Sequence, residues 1–183
     1  MGFATLRYLY LAYLSKPVGD RIVYRAIRKV AARRILEIGI GSADRTVRMV
    51  KLAQNGAGAG PVRYAAIDLF EGRSADMPPG LSLKETHRLL APCQAQVQLI
   101  PGTAGDALQR AANSLANMDL VIISAEHDTA TIGGGWFYVP RMLHANSRVY
   151  LETRGAEGQR MLRLMSPAEI GRLAAECRPR RAA

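Results

Sequence analysis

The chain has 183 residues and a net charge of +10, from 25 Lys/Arg and 15 Asp/Glu. This length suits one domain, and a hydrophobic fraction of 49% is ordinary for a soluble globular protein. No apolar run reaches the roughly 18 residues of a transmembrane helix. Pro17 follows the run YLYLAYL without a cleavage site of small residues, so no signal peptide is predicted. Cys93 and Cys177 lack metal-like spacing; free thiols in a cytoplasmic protein are expected, with a distant disulfide as the alternative.

The positive charge is concentrated at the two ends of the chain. Residues 1–34 hold eight Lys/Arg and one Asp, a net charge of +7, and residues 178–183 hold three Arg and no acid. The remaining residues carry 14 basic and 14 acidic side chains. This distribution favours an anionic contact made by the ends over a wholly basic nucleic-acid-binding fold. A solvated arginine-rich helix face is the simpler alternative.

Residues 1–32 are predicted to form a basic helical extension that serves as a lid or a partner contact. The first helix, within residues 2–15, has apolar side chains at helical spacing: Leu6, Leu9, Tyr10, Tyr13 and Leu14. Asp20 is expected to cap a second helix with its own apolar stripe: Ile22, Val23, Ala26, Ile27 and Val30. Because the first helix is rich in Tyr and Leu and flanked by Arg, residues 1–16 also suit peripheral contact with a membrane.

From Arg34 onward, strand and helix patterns alternate through a single predicted domain, residues 33–183. Strands are expected near 34–39, 62–68, 97–102, 118–124 and 147–153. Helices are expected near 43–55, 82–91, 104–116 and 166–177, the second opened by a capping box of Ser82 and Glu85. The pattern predicts an α/β fold with a doubly wound, mostly parallel Rossmann-like sheet of five to six strands and helices on both faces. RMLRLM is the candidate for a sixth strand, and a helix or a second subunit of a homodimer would cover the exposed edge.

The segment ILEIGIGSAD places Gly39 and Gly41 directly after an apolar strand, with Glu37 two residues before the first glycine. A dinucleotide-binding turn has a third glycine where this chain has Asp44, and no phosphate-binding loop of the Walker type is present. A carboxylate beside the turn suits a cationic ligand better than a pyrophosphate. The segment resembles motif I, E/D-x-G-x-G, of the class I S-adenosylmethionine-dependent methyltransferases, whose cofactor carries a sulfonium and an ammonium group.

The resemblance covers residues 30–153 and implies a cofactor-binding role for several positions. Asp68 ends the second strand, where the family has an acid that binds the ribose hydroxyls. Leu69 and Phe70 follow it, where the family offers an apolar side chain to adenine, and either Thr103 or Asp106 would make the polar contact to adenine. The implied cofactor-binding residues are Glu37, Gly39, Ile40, Gly41, Asp68, Leu69, Gly102, Thr103, Ala104 and Ser124.

The segment ISAEHD after the fourth strand is where the resemblance places the methyl acceptor. Similar small-molecule O-methyltransferases read IDxD there, and the first Asp helps to hold a metal. This chain has Ser124 instead, so no metal is expected; the alternative is a metal held by the carboxylates of Glu126 and Glu152. Methyl transfer is an in-line displacement in which an enzyme mainly supplies proximity. His127 is the candidate base and Glu126 or Asp128 its orienting partner, the alternative being an exposed loop histidine.

Three further features concern the acceptor side of the predicted site and the remaining histidines. ISAEHD lacks the proline typical of enzymes that methylate exocyclic amines of nucleic acids, which argues against N-methylation of a base and leaves other RNA chemistry open. Trp136, Phe137 and Tyr138 follow three glycines and form either a mobile wall over the acceptor or part of the core. His87 and His144 are expected on helix surfaces.

The expected function is therefore S-adenosylmethionine-dependent methyl transfer to a small molecule. The alternative is a non-catalytic module of the same fold whose basic ends dock on an anionic partner or a membrane surface. Ser124 and the 30 residues that remain after Thr153, too few for the family's usual seventh strand, favour this alternative. Glu37 and Asp68 oppose it. A nicotinamide-dependent oxidoreductase is less favoured because the third glycine is missing.

Overall fold

A six-stranded sheet forms the centre of the computed structural model, which describes residues 2–56, 60–125, 129–155 and 159–177. The strand order is β3-β2-β1-β4-β5-β6. The strands are β1 (Arg34–Ile38), β2 (Arg63–Asp68), β3 (Gln96–Pro101), β4 (Met118–Ile123), β5 (Leu143–Arg154) and β6 (Arg160–Leu164). β1 to β5 are parallel, whereas β6 is antiparallel to β5. The predicted fold class, including the sixth strand at RMLRLM, is confirmed.

Helices cover both faces of the sheet. They are α1 (Phe3–Leu9), which continues as a π-helical turn (Tyr10–Leu14), α2 (Arg21–Lys29), α3 (Asp44–Gln54), α4 (Leu83–Leu90), α5 (Ala104–Ala111), α6 (Thr129–Ile132) and α7 (Pro167–Glu176). Short 3₁₀ helices span Val18–Asp20, Phe70–Gly72, Ala91–Cys93 and Gly133–Met142. None of the helices in the described residues is long and apolar enough to cross a membrane.

Two apolar clusters, one on each face of the sheet, form the core. On one face, α2 and α3 bury side chains such as Tyr24, Ile27 and Met49 against the sheet. On the other face, α5, α7 and the 3₁₀ helix Gly133–Met142 enclose Trp136, which is fully buried. Trp136 is therefore part of the core. Leu11 belongs to the same cluster as α2 and α3, so the N-terminal extension packs on the domain; the division at residues 32 and 33 stays a prediction.

Side-chain caps explain where three of the helices begin. The Ser82 hydroxyl accepts a hydrogen bond from the Glu85 N–H at 3.1 Å, and the Glu85 carboxylate accepts one from the Ser82 N–H at 2.9 Å. This reciprocal capping box is the one that the sequence predicted. The hydroxyl groups of Thr103 and Ser166 likewise cap α5 and α7, because each accepts a hydrogen bond from the backbone N–H three residues later.

The N-terminal helices depart from expectation in two respects. Asp20 makes no side-chain capping bond to α2; it is buried and faces Arg45 instead, so the predicted cap is wrong. The apolar stripe of α1 faces solvent, whereas the other side of the helix packs on the core through Leu11 and Ala12. Periodicity thus predicted the α1 helix and its stripe but did not show that this stripe is exposed.

The two later histidines have different environments. His87 lies exposed on α4, as predicted. His144 lies in β5, which begins before the predicted strand, and its Nε2 is 3.0 Å from Asp119 Oδ1. The expectation that His144 is a helix-surface residue is therefore wrong. α5 also ends at Ala111, earlier than predicted. Cys93 and Cys177 are both free thiols.

Gly19 marks the contact between the N-terminal extension and β6. A Cβ atom added to Gly19 would lie 2.4 Å from the Arg160 carbonyl oxygen, closer than real Cβ contacts. The obstacle is backbone, so a side chain cannot be accommodated by a rotamer change. The absence of a side chain at Gly19 therefore allows the Val18–Asp20 turn to approach the start of β6.

We expect Gly19→Ala to lower the free energy of unfolding by about 2 kcal/mol, because the methyl group must push β6 away from the turn. Gly171→Ala is the matched control: Gly171 lies within α7 and an added Cβ meets nothing within 4 Å. That variant should gain roughly 0.5 kcal/mol from reduced backbone entropy of the unfolded chain. Urea denaturation measures both; equal effects of the two substitutions would contradict the packing argument.

Candidate functional site

The candidate site is the crevice at the carboxyl ends of β1 and β4. These strands are neighbours, yet the chain leaves β1 towards β2 on one side and reaches β4 on the other, the position where α/β sheets bind ligands. The Ser124 N–H donates to the Ile38 carbonyl at 2.8 Å, which brings Ser124 beside the end of β1. A cleft of about 120 Å³ opens here, lined by Pro17, Asp20, Gly39, Ile40, Gly41, Ser42, Asp44, Arg45, Ser124 and Arg160.

The glycine turn after β1 requires glycine for its backbone conformation. Gly39 has φ of 81° and Gly41 has φ of 54°, both in the left-handed region. The Gly39 N–H donates to the Ile67 carbonyl of β2 at 2.8 Å, which fixes the start of the turn. A Cβ atom on Gly41 would meet nothing within 4 Å, so open space adjoins the turn. The predicted GxG element is thus a backbone turn that borders the cleft.

Asp68 holds the glycine turn to the end of β2. Its Oδ2 accepts from the Ile40 N–H at 2.9 Å, and its Oδ1 accepts from the Leu69 N–H at 2.7 Å. The side chain is almost fully buried, with 2% of its surface exposed. The structure therefore brings together the glycine turn and the acid that the sequence paired with it, although Asp68 does not line the cleft.

Arg73 covers the same carboxylate from the other side, and sequence reasoning missed it. Its Nη2 donates to Asp68 Oδ1 at 2.7 Å, and its Nη1 to the Pro78 carbonyl at 3.4 Å. A Cβ on Gly80 would collide with this side chain, so residues 73–80 fold closely around the guanidinium. The signal was only a single arginine in the loop EGRSADMPPG. Asp68 Oδ1 is thus engaged by Arg73 as well as by the Leu69 N–H.

Glu37 is fully buried at the centre of the sheet and is surrounded by donors. Its carboxylate accepts from Thr46 Oγ1 at 2.6 Å, Tyr64 OH at 2.9 Å and Arg45 Nε at 3.1 Å. Burial, and secondly the nearby Glu37 charge, raise the pKa of Tyr64 well above its ordinary value, so Tyr64 remains a donor. Glu37 itself does not line the cleft; its partner Arg45 does.

Arg45 joins three carboxylates into one charged cluster. It lies 3.1 Å from Glu37, 3.2 Å from Glu152 and 3.6 Å from Asp20. Burial raises the pKa of Asp20, while Arg45 opposes that shift. With all groups ionised the cluster has a net charge of −2, so its electrostatic field at the cleft favours a cation. Only Glu37 of this cluster was predicted as a site residue; contacts between elements distant in sequence create the rest.

The turn after β3 adjoins Asp68 through the backbone. Gly102 has φ of 127°, and its N–H donates to the Asp68 carbonyl at 2.9 Å. The Thr103 hydroxyl donates to Asp106 Oδ2 at 2.8 Å and accepts from the Asp106 N–H, so the two candidates for the polar adenine contact cap α5 together. Ala104 is buried.

The two side chains proposed to lie against adenine differ in burial. Leu69 is half-buried after Asp68, whereas Phe70 is 3% exposed and belongs to the core cluster beneath α3. Leu69 is therefore partly accessible, whereas Phe70 is a core side chain; neither of them lines the cleft. Phe70 has φ of 50°, which turns the chain sharply from β2 into the 3₁₀ helix Phe70–Gly72.

The residues predicted to serve the methyl acceptor are mostly outside the described structure. Glu126, His127 and Asp128 lie in the segment between residues 125 and 129, so their roles remain predictions. Glu152, considered above as a carboxylate for a metal, accepts from Arg45 and from the Ala125 N–H at 3.3 Å. Within the described ranges, no group of three His, Cys, Asp or Glu side chains is placed to hold a metal ion.

Comparisons with known proteins support the fold. No family model and no curated protein matches the chain. An O-methyltransferase from Bacillus cereus in complex with SAH has a TM-score of 0.55 and 16% identity, over 86% of this chain and 69% of that one. The O-methyltransferase TomG from Streptomyces achromogenes, in complex with SAM, has a TM-score of 0.53 and 17% identity, over 83% and 66%. Cofactor-bound Rv0187 from MTB has a TM-score of 0.53 and 18% identity, over 97% and 76%.

The chain therefore has the methyltransferase fold that its β1 motif predicted. It spans between 66% and 69% of the two O-methyltransferases, which are longer. At this level of identity the likeness concerns the arrangement of strands and helices. A shared fold does not assign a reaction, which depends on the residues of the site itself.

We expect Arg45→Met to lower the free energy of unfolding by about 3–5 kcal/mol, because it leaves three buried carboxylates without their shared cation. Lys51→Met, in the same helix and outside this cluster, is the matched control and should change the free energy of unfolding by less than about 0.5 kcal/mol. Urea denaturation at pH 7 compares the two variants. If Arg45→Met lowered the free energy of unfolding no more than Lys51→Met does, the cluster would contribute nothing to stability.

Proposed function

We propose that this chain is an S-adenosylmethionine-dependent methyltransferase that acts on a small-molecule acceptor. The observation that carries the proposal is the Asp68–Ile40 hydrogen bond, which joins the glycine turn of β1 to the acid of β2 at the crevice. The fold is shared with O-methyltransferases whose structures contain SAM or SAH. When bound, the cofactor supplies a methyl group activated by a sulfonium.

Different residues would bind the methionine, ribose and adenine portions of the cofactor. Gly39, Gly41 and Ser124 would hold the methionine portion in the cleft, next to the negative cluster around Arg45. Asp68 would accept hydrogen bonds from the ribose hydroxyls. Adenine would lie against Leu69 and the turn of Gly102, Thr103 and Ala104. Carboxylates near the methionine end favour its ammonium and sulfonium charges.

The crevice must open before a molecule of this size can bind. The cleft measures about 120 Å³, below the roughly 300–1,000 Å³ of ordinary ligand pockets. The Asp68 end is covered by Arg73, which is itself held by the backbone of the 73–80 loop. Release of the Arg73–Asp68 ion pair would expose the carboxylate to the ribose. Cofactor binding would therefore be coupled to movement of this loop.

The acceptor would approach from the segment after β4. His127 is proposed as the base that removes a proton from the acceptor, with Glu126 as its orienting partner. The remaining contribution is to hold the acceptor in line with the methyl group and exclude water. Neither role requires a metal, and none is proposed. A cytoplasmic location is also part of this proposal.

A second candidate function is a non-catalytic binding module. The small cleft and the Arg73–Asp68 ion pair favour it, because together they leave little room for a nucleoside. In this case the fold would present its basic ends to an anionic partner. The two functions differ in whether the folded chain binds the cofactor at all.

Calorimetric titration of the purified chain with S-adenosylmethionine and S-adenosylhomocysteine tests the proposal. We expect micromolar binding that Asp68→Asn weakens at least tenfold, because the substitution removes the anionic acceptor. Glu176→Gln, at an exposed position of α7 that does not line the cleft, is the control. Circular dichroism verifies that each variant is folded. Absence of binding to the folded chain would favour the binding module, and tight binding of NADH would favour an oxidoreductase.

We expect Arg73→Ala to tighten S-adenosylmethionine binding, by roughly threefold to tenfold, because the ribose no longer has to displace a guanidinium from Asp68. The same titration measures the change, with Arg88→Ala on α4 as the arginine control. Weaker binding by Arg73→Ala than by the unmodified chain would mean that Arg73 contacts the cofactor and does not compete with it.

A further inference from the structure

The N-terminal extension presents a continuous apolar stripe to solvent. On α1 and its π-helical continuation, Leu6 is 55% exposed, Tyr10 57% and Leu14 68%. Leu9 and Tyr13 lie on the same stripe and are also exposed. The opposite side of the helix is anchored to the core by Leu11 and Ala12. The stripe is therefore a fixed surface feature, and its apolar side chains are spaced as in a helix that lies in a membrane interface.

A rim of uncompensated positive charge surrounds this stripe. Six basic side chains belong to the extension, residues 2–32: Arg7, Lys16, Arg21, Arg25, Arg28 and Lys29. None of them forms an ion pair with a carboxylate in the part of the chain that the structure describes. The single acid of this segment, Asp20, is buried against Arg45. The extension thus keeps its full positive charge.

Several of these arginines are held beside the stripe. The Arg25 guanidinium lies 5.9 Å from the centre of the Tyr13 ring, and the Arg28 guanidinium 4.9 Å from that of Tyr8. Arg25 Nη1 also donates to the Ala12 carbonyl at 3.2 Å. These contacts with neutral groups fix the positions of the guanidinium groups without cancelling their charge.

The apolar surface continues beyond α1 towards β6. An open groove of about 750 Å³ is lined in part by Val18 and Met161, which are 64% and 54% exposed, and by Arg25 and Arg160. Pro17 and Arg160 line both this groove and the candidate cofactor cleft. The apolar and basic surface therefore borders the functional crevice.

We propose that this surface docks on an anionic lipid bilayer. Leu and Tyr side chains would enter the headgroup region, where tyrosine rings are favoured, while the rim arginines contact lipid phosphates. A second copy of the chain is a poorer occupant, because a two-fold contact would bring two of these basic segments, each with six Lys/Arg, against each other. A nucleic acid would match the charge but not the exposed Leu6, Leu14 and Met161. The inference does not depend on cofactor binding.

Co-sedimentation of the full chain with vesicles tests the proposal. Vesicles of phosphatidylcholine with 30% phosphatidylserine are compared with vesicles of phosphatidylcholine alone. We expect binding to the anionic vesicles that weakens with salt, and a loss of at least about tenfold in partitioning for Tyr10→Ser/Leu14→Ser. Arg7→Gln/Lys29→Gln should weaken binding to the anionic vesicles only.

Two control variants test whether binding depends on this surface in particular or on exposed apolar and basic side chains in general. Met77→Ser/Leu89→Ser removes exposed apolar side chains elsewhere, and Arg63→Gln/Arg172→Gln removes two charges elsewhere; both should bind like the unmodified chain. Circular dichroism verifies folding. Equal pelleting of Tyr10→Ser/Leu14→Ser and its control would overturn the proposal. So would a concentration-dependent dimer, measured by light scattering without vesicles, that the same variant abolishes, since the occupant would then be a second copy.

Discussion

The burial of Glu37 in the central strand is the constraint on which much of the molecule depends. A carboxylate with no exposed surface is costly unless nearby donors replace its water. Thr46 and Arg45 of α3 and Tyr64 of β2 provide these donors, so strand and helix are fixed in register around one group. Arg45 then carries the constraint outward to Glu152 of β5 and to Asp20 of the N-terminal extension. The position of the extension is thus tied to a side chain at the centre of the sheet.

The buried carboxylates around Arg45 and the carboxylate of Asp68 differ in how completely their charge is neutralised. Around Arg45, carboxylates outnumber the cation, which leaves negative charge at an open cleft. At Asp68, by contrast, backbone N–H groups and Arg73 satisfy the carboxylate within the chain. The negative charge around Arg45 would attract the cationic end of a ligand such as the proposed cofactor. Its ribose, by contrast, would have to compete with Arg73 for the Asp68 carboxylate. If the proposed function holds, the affinity for such a ligand would depend on the free-energy difference between the Arg73–Asp68 ion pair and the hydrogen bonds that replace it.

Most of the fold could be predicted from local patterns in the sequence. Alternating apolar runs and capping residues such as Ser82 located the strands and helices, and the acid at the end of β2 followed from its position after the glycine turn. The roles of Asp20 and Arg73 could not be predicted, because each depends on a partner brought near by tertiary structure. The exposed stripe of α1 was equally undetermined, since periodicity defines an apolar face without stating what covers it. The roles of Glu126 and His127 remain predictions from the β4 segment.

The free edges of the sheet have a consequence for the behaviour of the protein in concentrated solution. β3 and β6 end the strand order, and within the described residues each leaves one row of backbone groups without a neighbouring strand. Pro101 ends β3 with a residue that cannot donate a hydrogen bond to a further strand. At β6, the Val18–Asp20 turn packs on the Arg160 carbonyl through Gly19, so the N-terminal extension covers the start of this edge. A substitution that pushes this turn away, such as Gly19→Ala, would therefore expose the start of β6 to pairing with another chain, a route to aggregation.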